Sequence, residues 1–304
     1  MKNKITCLLA GAALFGATAN AEIVLAEGLS ASGYIDIVSA DGDISGDNGR
    51  TTTTNEFELG LSFTPAESAY SAVAEISYNG TAANFETVTV SYQYSDALSF
   101  TAGHILSYQG LESFDAPNNY FVSYAGRDGD ALYSADYADG VSADYSAGDI
   151  AFGVWAGDAG GDDLDLEYFL GYTGIENLSL GVALADNNDN SATVNLMATY
   201  QYDAFTLMVE SVDHEDIVDD ALGLLGAEIV SATAAYAMGD TTFAVRFADG
   251  DYITNDVGAD YTKVSYSVFQ ALSDNASIGV EYSDQEIEGF ADTDEFAVEL
   301  LYVF

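Results

Sequence analysis

The chain has 304 residues, 50 acidic against 6 basic side chains and a formal net charge of −44, so it offers no basic surface to displace counterions from nucleic-acid phosphates. Its 49% hydrophobic and 12% aromatic content is too high for intrinsic disorder. Past the N-terminus no apolar run approaches the roughly 20 residues of a helical span, which excludes a membrane bundle of helices.

Residues 1–21 read as a cleavable export signal. Lys2 and Lys4 form a basic start, Ile5 to Phe15 an apolar stretch, and Ala19-Asn20-Ala21 a small-residue cleavage site before Glu22. Cleavage there removes Cys7, which has no lipobox around it, leaving a more acidic chain at residues 22–304 without cysteine and independent of disulfides.

From residue 28 onward the pattern has period two. Phe57, Leu59, Leu61 and Phe63 alternate with Glu56, Glu58, Gly60 and Ser62. Val194, Leu196, Ala198, Tyr200 and Tyr202 alternate in the same way with polar partners. Such segments are strands with one apolar and one polar face. Sixteen are expected, near 29–39, 55–64, 69–79, 84–94, 98–106, 139–146, 149–157, 164–172, 178–186, 192–202, 205–213, 226–237, 241–249, 260–271, 275–284 and 293–304. Tight connections such as Ser95-Asp96-Ala97, Asp203-Ala204 and Met238-Gly239-Asp240, with Thr173–Asn177 slightly longer, alternate with mostly longer acidic loops. Those loops fall at 40–54, 107–138, 158–163, 187–191, 214–225, 250–259 and 285–292, with a short one near 80–83. An even strand number, with short turns at one rim and long loops at the other, predicts an all-β fold: a transmembrane antiparallel β-barrel.

Aromatic residues of the apolar face gather beside the short turns: Phe63 and Tyr70, Tyr94 and Phe100, Tyr202 and Phe205, Tyr236 and Phe243. This is the arrangement of an interfacial girdle, which makes outer-membrane lipid the partner of the apolar face. The chain ends apolar at every second position from Phe296 to Phe304, which looks like the C-terminal signature read by the barrel-assembly machinery. Sixteen strands leave a water-filled lumen, where eight would be filled by side chains.

Gly103-His-Ile-Leu-Ser-Tyr-Gln-Gly110-Leu-Glu112, then Pro117-Asn118-Asn119 and Asp139-Gly140-Val141, resembles the signature of the OmpL-like β-barrel porins of Gram-negative outer membranes. The specific likeness covers about forty residues, and the chain departs from it at His104, where members often carry a basic residue, and in the position of a proline. General trimeric porins are the next likeness, but they carry an arginine cluster on the wall that this chain cannot supply. The resemblance implies that the third long loop, 107–138, folds into the lumen and narrows it, bringing Glu112, Asp115, Arg127, Asp128 and Asp130 to the constriction. An external flap is the alternative.

Strand parity puts Asp36, Glu56, Glu58, Glu75, Asp144, Asp165, Glu167, Glu210, Glu281, Glu295 and Glu299 on the lumen face, against Arg246 and Lys263. A tube lined with one sign of charge gathers the opposite ion. The expectation is a cation-preferring channel for passive diffusion of ions and small hydrophilic solutes; a structural or surface-binding barrel is the rival reading. A homotrimer stays open as the assembly. Asp41-Gly-Asp43 starts like a calcium loop, but Thr52 stands where its bidentate Glu is needed, so only loosely held divalent cations are expected at the acidic loops, with no metal centre and no cofactor. Asp213-His214-Glu215-Asp216 reads as a solvated external loop, and His104 as an outward, interfacial residue. No phosphate loop, nucleophile elbow or cysteine nucleophile is present, so no catalytic role is expected.

Overall fold

The computed structural model describes residues 22–42, 52–79, 82–112, 115–126, 132, 137–158, 164–186, 192–214, 226–254 and 257–304. The export signal, most of the Asp41–Thr52 stretch, and Arg127, Asp128 and Asp130 lie outside them.

Seventeen strands are present among these residues. They are β1 (Ile23–Ala26), β2 (Leu29–Gly42), β3 (Thr52–Phe63), β4 (Tyr70–Tyr78), β5 (Ala83–Ser95), β6 (Leu98–Leu106), β7 (Tyr137–Ala147), β8 (Ile150–Asp158) and β9 (Asp165–Ile175). There follow β10 (Leu178–Asp186), β11 (Ala192–Tyr202), β12 (Phe205–His214), β13 (Gly226–Met238), β14 (Thr241–Thr254), β15 (Val257–Ser273), β16 (Ala276–Ile287) and β17 (Thr293–Val303). From β2 to β17 each strand pairs antiparallel with the next, and β17 returns to β2. The result is a closed sixteen-stranded barrel with no free edge in its wall. The extra strand, β1, was not expected. It pairs with Leu29–Ala31, below the stretch of β2 that meets β17, and so extends the seam at the short-turn rim. Phe304 finishes that seam: its N–H donates to Gly33 O at 2.9 Å, and its carbonyl accepts from Gly33 N at 2.8 Å. Its ring stacks against Phe57 and Tyr302.

Burial alternates along the strands as period two demands. In β16 every second residue from Ser277 to Ile287 is buried and those between are exposed. The exposed set is apolar in the middle of the wall: Leu196, Leu207, Val209, Val230, Val245 and Phe247 stand outward. A soluble protein would not spread so much exposed aliphatic surface; a lipid-facing one must. The aromatic pairs of the short-turn rim are outward too, with Phe205 and Tyr236 4.5 Å apart between ring centroids and Tyr70 and Tyr92 4.9 Å apart.

Two loop expectations are corrected. Residues 250–259 do not form a loop: the β14–β15 hairpin continues to a Thr254↔Val257 pair. Gly250 reads as a turn residue, but with φ +155° it lies inside the ladder, where a Cβ would fall 2.0 Å from Glu228 O. Tyr252 beyond it packs on Tyr261. Thr173–Asn177 is also shorter than expected, because β9 runs to Ile175 and turns at Glu176-Asn177.

Candidate functional site: the inward loop and the acidic face

An irregular segment inside a barrel must find partners for its backbone N–H and C=O groups, since no ladder supplies them. The described residues among 107–126 obtain those partners from inward side chains of the wall. Glu167 on β9 accepts from Ser107 Oγ at 2.8 Å and Tyr108 N at 3.0 Å. Asn195 on β11 accepts from Gly110 N at 3.1 Å and donates to Glu210 on β12 at 2.8 Å; Glu210 in turn accepts from Leu111 N at 3.2 Å. Glu281 on β16 takes Val122 N at 2.5 Å, Ser123 N at 2.9 Å and Ser123 Oγ at 2.6 Å.

Donors come from β14 and β15. Every second residue of β15 from Tyr261 to Ser267 faces inward, and these four meet the returning limb of the loop or its clamp. Ser267 donates to Tyr120 O at 2.5 Å, Lys263 to Tyr124 O at 2.7 Å and Gly126 O at 3.3 Å, and Tyr261 to Ala125 O at 2.7 Å. Ser265 bonds Arg246 of β14 at 3.1 Å. Arg246 is 1% exposed. It forms an ion pair with Glu112, donates to Ser123 Oγ at 3.2 Å and Tyr124 O at 2.9 Å, lies 3.8 Å from Glu281, and sits 4.3 Å over the Phe121 ring. Glu112 also accepts from Ala125 N at 2.8 Å, which joins the two limbs of the loop.

Apolar contacts complete the seat. Tyr108 stacks on inward Phe169 at 5.8 Å and donates to Asp144 Oδ1 at 2.6 Å. The close approach depends on Gly153 of β8, where a Cβ would lie 2.7 Å from the Tyr108 ring. Burial beside the Asp144 carboxylate pushes the Tyr108 hydroxyl pKa above its ordinary value. Ala151, Trp155, Ala183 and Met197 enlarge this cluster. Tyr120 and Phe121 pack on Ala235 and Ala244, and Ala125 on Val212, Ala248 and Tyr261. The loop is thus fastened along the inner faces of β8 to β16.

The other side of the lumen differs. Glu56 accepts from Tyr34 OH and Ser77 Oγ, each at 3.2 Å, from strands on either side of its own. Glu58 and Glu75 stand on neighbouring strands, in the register Glu58↔Ser77 and Gly60↔Glu75. Asp115, at the tip of the loop beside the short 3-10 turn Ala116–Asn118, accepts from Asn118 Nδ2 at 3.2 Å. Burial first, then the charges of Glu75, Glu86 and Glu56, push the Asp115 carboxyl up to about 6. Asp36 of β2 and Glu299 of β17 are buried and hydrogen-bonded to each other across the seam. Glu295 lies on the same face of β17, half-buried. Asp165 is buried on the inward face of β9.

Glu86 escaped strand parity. Counting back from outward Val88 puts it on the lipid side, but β5 carries an irregularity there: Ala74 pairs with Val88 and Ile76 with Phe85, so Glu86 and Thr87 both oppose Glu75. The bulge turns Glu86 inward to meet Ser77 and Glu58. His214 is a second correction. It is not in an external loop but closes β12, buried on the inward side and bonded to Thr193. Glu215 and Asp216 lie outside the described residues. His104 points outward and pairs with exposed Asp139 at 2.9 Å. Among the described residues no three His, Cys, Asp or Glu side chains converge at metal-ion spacing.

Known proteins agree with this architecture. OmpT of Vibrio cholerae, an outer membrane protein, superposes with a TM-score of 0.70 at 13% identity, covering 93% of this chain and 100% of that one. A variant of the Rh. blastica porin gives a TM-score of 0.65 at 15% identity, over 91% and 100%. At such identities the likeness shows the fold. No curated protein sequence matches the chain. The family follows from the sequence itself, because the model of Gram-negative porins matches residues 8–289, nearly the whole length of the barrel. The chain belongs to the Gram-negative porin family, whose place is the outer membrane.

Proposed function

We propose that this porin is a water-filled, cation-preferring channel for passive diffusion of ions and small hydrophilic solutes, with the inward loop setting its width. One observation carries the preference: Glu56, Glu58, Glu75, Glu86 and Asp115 share one side of the lumen. The two Lys or Arg side chains among the described residues, Arg246 and Lys263, are buried in the loop's fastening on the other side. Water in a wide pore keeps the dielectric high, so each charge contributes on the order of 1 kcal/mol at contact and the preference is a sum over several. In this reading the short turns face the periplasm and the long loops the exterior. The chain is exported, is processed before Glu22, and is recognised for assembly through Phe304. The barrel reconstituted in a planar bilayer under a potassium chloride gradient should give stepwise conductance and a reversal potential of cation-selective sign, shrinking as salt rises. Reproducible absence of conductance steps would favour the structural barrel, and an anion-selective sign would remove the acidic face from the pore.

A further inference from the structure

The lipid-facing wall is not uniform. Across β5–β8 it carries a hollow of about 490 Å³, walled by Val90, Phe100, Val141 and Val154, with Ala102 and Ala143 at its floor. Register explains the shape. Phe100 stands opposite Ala143 and Val141 opposite Ala102, so the two alanines are diagonal neighbours and leave a gap between larger side chains. Tyr92, paired with Phe100, closes the end towards the short turns. At this depth of a bilayer there is no water, and an empty hollow forfeits the contacts of every atom around it, so hydrocarbon fills it. A neighbouring barrel presents a broad wall that spans such an opening, whereas a single acyl chain enters it.

The residues above the hollow indicate what head that chain carries. His104 and Asp139 hold the next outward positions on β6 and β7, about 7 Å beyond Ala102 and Val141 towards the long loops. They pair directly in register, with His104 Nδ1 donating to Asp139 Oδ1 at 2.9 Å, and the Tyr137 ring stacks on the imidazole at 6.0 Å. Among the described residues nothing bonds His104 Nε2, and the Asp139 side chain is 83% exposed. The imidazolium form donates from Nε2 as well, which sets a donor beside an open carboxylate. That arrangement complements a zwitterionic head, while a purely anionic head meets Asp139 as a like charge. We infer that the hollow is a binding site for one phosphoethanolamine-headed phospholipid, with an acyl chain over Ala102 and Ala143, its ammonium group on Asp139 and its phosphate accepting from His104 Nε2. The site lies outside the lumen and stands apart from the channel reading.

Native mass spectrometry of the full barrel in mild detergent, titrated with phosphatidylethanolamine or with phosphatidylglycerol of the same chains, tests it. One phosphatidylethanolamine should be retained, about tenfold more tightly than phosphatidylglycerol. Ala102→Leu with Ala143→Leu fills the hollow and should abolish retention of both lipids. Ala232→Leu, an equal addition at an exposed position of β13, should leave retention unaltered. Asp139→Asn and His104→Gln leave the hollow intact and should keep a bound lipid while bringing the two heads to near parity. These single variants carry the test should the double variant not fold. Absence of a retained lipid, equal retention of the two heads by the unaltered barrel, or a preference untouched by Asp139→Asn and His104→Gln would overturn the site. Barrels that associate without lipid, and come apart on filling the hollow, would also overturn it by making a second copy the occupant.

Discussion

The inner faces of β3–β5 and of β9–β16 carry the same residue type and use it differently. On β9, β12 and β16, Glu167, Glu210 and Glu281 accept the backbone N–H groups of the loop, and Arg246 and Lys263 close the same contacts from the donor side. On β3–β5, Glu56, Glu58, Glu75 and Glu86 face one another and Asp115, with no arginine or lysine of the described residues among them. A carboxylate whose lone pairs are taken by N–H donors is a structural acceptor, while one surrounded by its own kind is a source of field. In the proposed channel, the first group sets how wide the passage is, and the second sets what charge prefers it.

The fastened side should respond in pore size. Arg246→Met removes the cation that holds Glu112, Ser123, Tyr124 and Glu281 together and leaves Lys263 to face both acids, buried Glu281 and half-buried Glu112, a loss of about 3 kcal/mol. The loop should come away from β14–β16, and liposome swelling should show entry of larger sugars. Excision of about residues 111–128 should do the same. Glu281→Gln is milder: the Val122 and Ser123 N–H groups keep a neutral amide oxygen, while Ser123 Oγ has to accept from the amide nitrogen, a cost of about 1.5–3 kcal/mol. Noisier single-channel current with unchanged reversal potential is the expected signature.

The acidic side should respond to pH. Because the Asp115 carboxyl is raised to about 6, the folded protein holds that proton more tightly than the unfolded chain does. The group's contribution to stability is therefore present at low pH and is lost as pH rises from about 4 through 6. Its charge follows the opposite course. Cation preference should fall as pH drops from 7.5 through 6, and Asp115→Asn should flatten that part of the profile. The smallest effect is at Tyr108→Phe, which keeps the ring on Phe169 and loses the hydroxyl bond to Asp144; a denaturation midpoint should register about 1 kcal/mol, with no change in selectivity.

Much of this was legible before the structure, for a definite reason. The solvent on one side of the wall is lipid, so alternation is nearly unbroken, and parity alone turns Asp36, Glu58, Glu167, Glu210, Arg246, Lys263, Glu281 and Glu299 inward, where they are buried. Parity fails where the ladder does: the bulge beside Glu86 shifts the phase by one residue, and nothing in Phe85-Glu86-Thr87 announces it. Gly250-Asp251 and Asp213-His214 look like loops because they are small and polar, but a barrel rim continues its ladder through such residues when the neighbouring strand is long enough to pair. The division of the acids into two groups was not legible at all. It depends on contacts such as Leu111 with Glu210 and Ser123 with Glu281, which join residues far apart in sequence.

The central claim is that charge preference and pore width belong to opposite sides of one lumen. Single-channel recording under a potassium chloride gradient on two variants, Glu56/Glu58/Glu75→Gln and Arg246→Met, tests it within one experiment. The account predicts that the triple variant loses most of its cation preference at nearly unchanged conductance, while Arg246→Met raises conductance and stays cation-selective. A triple variant with undiminished preference, or an Arg246→Met pore of unchanged conductance, would contradict it.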